Sequence, residues 1–132
     1  MSSNQKIKLQ ALRIPPGWTI DWNTFYEVDP EEGKEAFFEG SSLLQMSNAQ
    51  LKKIIDLEWR PESDLNGCYQ LRVINFIENY NPRTHQYDRD TDWEAPHLTF
   101  STRSRLKLVQ KLEELFISLP PTLDERIRSK RG

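Results

Sequence analysis

Ile54-Ile-Asp-Leu-Glu-Trp-Arg60, then Pro61-Glu-Ser-Asp-Leu-Asn-Gly67, then Cys68-Tyr-Gln-Leu-Arg-Val-Ile-Asn-Phe-Ile77 is the stretch that decides the fold class. Ile55, Leu57 and Trp59 alternate with Asp56, Glu58 and Arg60, and Tyr69, Leu71 and Val73 alternate with Gln70 and Arg72. A period of two places each apolar set on one face of an extended chain. The seven residues between the runs carry Pro, Ser, Asp and an Asn66-Gly67 pair, types that reverse a chain and tolerate positive φ. The unit therefore predicts an antiparallel β-hairpin with Trp59 in the core. Asp56 and Glu58 sit two apart on the other face, where solvent or an interface is expected. No third group that would shift a pKa stands beside them, so they do not read as a catalytic pair.

Outward from the hairpin, the chain keeps the strand period. Ile7, Leu9 and Ala11 alternate with polar residues and predict a half-buried strand that Pro15-Pro16-Gly17 must end. Trp18 to Asp29 is rich in aromatic and β-branched residues and predicts a strand broken near Asn23, with Trp18 or Trp22 closing the end of the sheet. Phe37-Phe38 and Leu43-Leu44-Gln-Met46, divided by Gly40, predict two short strand pieces, and a single helical turn fits Asn48 to Lys53. His97 to Ser101 alternates again. From Ser104 to Leu119 the period changes: Leu108, Val109, Leu112, Leu115, Phe116 and Leu119 share one helical face, Ser101, Thr102 or Ser104 can cap it, and Pro120-Pro121 stops it. The sum is an α+β domain over residues 1–119, an antiparallel sheet of about five or six strands with a C-terminal helix packed on one face. Residues 120–132 read as a flexible basic tail.

Composition bounds what such a domain can be. In 132 residues there are 18 Lys and Arg against 20 Asp and Glu, one Cys and five Gly. Ile, Leu, Val and Phe make up a quarter of the chain, enough for a small core. No run approaches the ~20 apolar residues of a membrane span, and Met-Ser-Ser-Asn-Gln lacks a signal core, so a cytoplasmic protein is expected. Cys68 alone can form neither an intrachain disulfide nor a cysteine-based zinc site. The charge is uneven: residues 21–64 hold eleven acids against four bases, whereas residues 1–20 are net positive. An acidic middle repels nucleic acid and speeds encounter with a cationic partner.

No signature of catalysis emerges. The chain lacks Gly-x-Ser-x-Gly, His-Glu-x-x-His and a glycine-rich phosphate loop, and only His85 and His97 could serve as a base for Cys68 or a serine. Asp88, Asp90 and Asp92 copy the first spacings of a calcium loop, but Trp93 stands where that loop needs glycine and Thr99 where it needs glutamate. Neither a metal nor a cofactor is expected. Residues 78–96 form a long polar connection in which Tyr87, Asp88, Asp90, Asp92, Trp93 and Glu94 set aromatic groups among acids. Aromatic anchors ringed by charge are typical of protein interfaces, so this segment is the expected partner-binding site.

The landmarks Ile14-Pro-Pro-Gly-Trp18, Asn23-Thr-Phe-Tyr26, Asp29-Pro30, Asp56-Leu-Glu-Trp59, Asp64-Leu-Asn-Gly67 and Trp93-Glu-Ala-Pro96 occur in an order that resembles small bacterial cytoplasmic proteins. Several such groups are immunity proteins of polymorphic or contact-dependent growth inhibition toxin systems. The resemblance implies a stoichiometric inhibitor, not an enzyme, that blocks a toxin domain, often a basic nuclease. It carries no site residues across. The expected alternative is a regulatory domain recognising a small molecule or peptide in a sheet-lined pocket.

Overall fold

A computed structural model describes residues 7–119. They form six antiparallel strands and one α-helix: β1 (Thr19–Asn23), β2 (Leu44–Asn48), β3 (Lys53–Arg60), β4 (Cys68–Asn81), β5 (Gln86–Thr91), β6 (Leu98–Thr102) and α1 (Arg105–Ile117). The sheet runs β1-β2-β3-β4-β5, and β6 lies beside β5 on the same edge of β4. The α+β architecture, with the C-terminal helix packed on one face, is as the periodicity predicts. The basic tail expected over 120–132 lies outside the described residues.

The central hairpin pairs in the register its alternation requires, with Ile55 opposite Val73, Leu57 opposite Leu71 and Trp59 opposite Tyr69. These side chains, with Leu44 and Met46 from β2, meet Leu108, Leu112, Leu115 and Phe116 of α1 in the main core. Burying such a stripe is what holds a 13-residue helix that would be marginal alone. Ser104 caps it, accepting a bond from the Lys107 amide at 3.2 Å. The hairpin loop is closed by the Trp59 indole, which donates to the Asp64 carbonyl at 2.8 Å. Gly67 is needed there for close approach and not for positive φ: a Cβ on it would lie 2.4 Å from the Arg60 carbonyl oxygen.

Several local expectations are corrected. Residues 7–11 make only an isolated bridge between Leu9 and Tyr26, flanked by bonds from Gln10 to Phe25 and from Glu27 to Lys8. The alternation there misleads because Leu9 faces outward, while Leu12, Ile14 and Trp18 pack on the core. Trp18 lies 5.6 Å from Phe116, but Trp22 is 55% exposed and does not close the core. Residues Glu35–Phe38 form a short 3-10 helix instead of a strand piece, because Phe38 turns inward onto Trp59 while Phe37 meets Tyr26. The helical turn expected at Asn48 to Lys53 is a reverse turn, with the Asn48 side chain accepting from Leu51 and Lys52 at φ 59. The long connection over 78–96 is mostly strand. β4 runs on to Asn81 and β5 returns from Gln86, so the two form a projecting ribbon. Most of its residues are exposed on both faces, and a ribbon without a core face shows no hydrophobic period.

Candidate functional site at the open face of the sheet

Alternation in the ladder defines a second sheet face, opposite α1. A row of directly paired residues crosses it: Trp22 on β1, Gln45 on β2, Asp56 on β3, Arg72 on β4 and Thr99 on β6. Asp56 is buried within the chain, contrary to the expectation that it faces solvent or an interface. Its carboxylate accepts from Ser42 Oγ at 2.7 Å and Arg72 Nη2 at 3.0 Å, with Gln45 Nε2 at 3.4 Å. The same Arg72 nitrogen reaches Glu58 at 3.0 Å. A buried carboxylate persists only when its oxygens are matched in this way. The network also fixes the positions of Ser42 and Gln45.

Trp93 completes the arrangement from above. It stands between β5 and β6, where the Asp92 amide bonds the Asn75 carbonyl and the His97 amide bonds Val73, and its ring lies 5.4 Å from the Arg72 guanidinium carbon. At the other end of the row, the Trp22 indole donates to the Ser42 carbonyl at 3.0 Å. Beside Trp22 a cleft of about 680 Å³ opens, lined among others by Tyr26, Phe37, Glu39, Ser42 and Gln45. Tyr26 and Phe37 meet edge to face, 5.3 Å apart.

The expected partner-binding residues are divided by the ribbon. Tyr87 pairs with Tyr80 at 5.4 Å on the same side as Arg72, and Trp93 turns to that side too. Asp88 and Asp90 stand opposite Asn79 and Ile77 on the reverse side, where Asn81 donates to Asp88 at 3.1 Å. Asp92 and Glu94 are exposed just beyond β5. Asp56, Arg72, Trp22, Tyr26 and Phe37 were not expected here. The opposite charges of Asp56 and Arg72 in facing hairpin strands were the available signal; Trp22 gave none, because a register shift between Ile20 and Trp22 alters its face.

Cys68, His97 and His85 occupy three separate places along β4: opposite Arg60, beside Val73 and in the turn beyond Asn81. Among the described residues no group of three or more His, Cys, Asp or Glu could hold a metal ion, and no helix is long and apolar enough to cross a membrane. Comparison of the chain with protein-family models, with curated proteins and with solved structures finds no match.

Proposed function

We propose that the protein is an immunity protein, which binds a cationic toxin domain one to one and blocks it. One observation carries the reading: on the sheet face opposite α1, Trp22 stands exposed at one end of a row held by the Asp56–Arg72–Glu58 ion pairs, and Trp93 stands exposed over Arg72 towards the other. Aromatic side chains held in place lose little entropy on binding, and surrounding charge sets orientation and partner choice. Asp21, Glu27 and Glu39 are exposed, Glu39 in the lining of the cleft beside Trp22; Asp92 and Glu94 are exposed next to Trp93, and Asp88 and Asp90 are exposed on the reverse side of the ribbon. Their field favours a basic protein and disfavours nucleic acid. Within the expected set, Tyr87 and Trp93 serve as anchors, while the acids steer.

The resemblance to immunity proteins supports a toxin as the partner. The cleft beside Trp22 is the feature that favours the second reading, a domain that recognises a small molecule or peptide. The test is capture from a lysate of the native host at low salt with release at high salt, followed by titration of the captured partner's toxic activity. The expected result is a basic partner whose activity falls to zero at one equivalent. Activity that persists in excess protein would contradict the proposal.

A further inference from the structure

We infer that the cleft beside Trp22 receives the guanidinium group of an arginine side chain from a partner protein. Its walls come from three segments: Trp22 on β1, Tyr26 after it and Phe37 on the 3-10 helix. The Trp22 indole is held by Ser42 yet 55% exposed, so its ring is fixed without being covered. Glu39 brings a carboxylate to the lining, and among the described residues no Lys or Arg lines the cleft to neutralise it. Ser42 and Gln45 supply polar atoms whose positions depend on Asp56.

Aromatic faces and a carboxylate in one concave site suit a planar organic cation. A guanidinium stacks on rings and presents a rigid fork of donors to a carboxylate, whereas an ammonium is a compact, strongly hydrated point charge with neither the plane nor the fork. A neutral side chain would gain the stacking and lose the charge. The inference rests on the proposal of a cationic protein partner only for the origin of the arginine; the chemistry of the cleft is independent of it.

The test follows the Trp22 indole N–H resonance of the ¹⁵N-labelled full chain while Nα-acetyl-arginine methylamide is added, with the citrulline and lysine counterparts as neutral and ammonium controls. The expected result is a saturable shift at Trp22, Gly40 and Gln45. Citrulline and lysine should bind more weakly, and Glu39→Gln should weaken arginine roughly fivefold, the upper size of an exposed ion pair. Trp22→Leu should remove the response at Gly40 and Gln45 while the other three indole signals stay in place, which shows the fold intact. No saturable shift, equal binding of citrulline or lysine, or indifference to Glu39→Gln would overturn the inference. A cleft that binds arginine in a protein that neutralises no toxin would sink the function and spare the cleft; neutralisation with an unresponsive cleft would do the reverse.

Discussion

The Tyr69 hydroxyl lies in the core with no hydrogen-bond partner among the described residues. Burial, reinforced by the charge of Asp29 and opposed by Arg105, holds its phenol well above the usual range. Between the unfolded pKa, near 10, and the higher folded value, the unfolded chain releases a proton that the folded chain keeps. Stability is therefore unaffected below pH 10 and falls above it, by up to about 1.4 kcal/mol per pH unit. Tyr69→Phe should leave stability at pH 7 equal or higher and flatten the loss of urea midpoint between pH 9 and 11. Identical alkaline profiles for both proteins would refute this. Asp56→Ala, by contrast, strands Arg72 beside Glu58 alone, and should cost about 2–3 kcal/mol in urea unfolding, below a fully buried pair because Arg72 keeps some contact with water. At this scale Trp59 was legible, since it falls in phase with Ile55 and Leu57. The burial of Asp56 was not, because a carboxylate in an alternating strand reads as solvent-facing until its cross-strand partner is known.

At the scale of elements, the hairpin of β3 and β4 and the helix α1 were legible because each buries one face and so carries a hydrophobic period. The β4–β5 ribbon and the 3-10 helix were not. The ribbon is held by backbone pairing, by the Tyr80–Tyr87 contact and by a turn in which Asn81 accepts from the Arg83 and His85 amides and His85 takes φ 56. None of these leaves an alternation of apolar residues. The hairpin loop makes a sharper prediction: Gly67→Ala forces a methyl onto the Arg60 carbonyl and the Trp59 indole, backbone and core atoms that cannot swing away. A loss of about 1–3 kcal/mol is expected, with the midpoint of thermal unfolding as the measurement. Ser104→Ala removes the α1 cap and should cost about 1 kcal/mol in the same assay. If Ser104→Ala proves the more damaging, the loop is less constrained than its geometry requires.

Across the whole molecule, the acidic segment 21–64 divides into structural and free charge. Asp29, Asp56, Glu58 and Glu62 pair with Arg105, Arg72 and Arg60, whereas Asp21, Glu27 and Glu39 remain exposed, Glu39 in the lining of the Trp22 cleft. The count of acids was thus legible, and their availability was only partly so: the Asp56–Arg72 and Arg60 pairs lie within the hairpin region, but the Asp29–Arg105 pair joins segments far apart in the chain and leaves no mark in the sequence. The two sides of the ribbon assign separate roles. Asp88, Asp90 and Asp92 act through the field they project and should set association rate, while Trp93, held over Arg72, should set dissociation rate. The decisive measurement is binding kinetics with the purified partner across a salt series, comparing the parent with Trp93→Ala and with the variant carrying Asp88→Lys, Asp90→Lys and Asp92→Lys. The account predicts a one-to-one complex whose association slows with salt, slows further in the lysine variant at low salt, and whose dissociation quickens in Trp93→Ala by an amount worth ~2 kcal/mol or more. Association that is indifferent to salt and to the lysines, with Trp93→Ala dissociating like the parent, would contradict it.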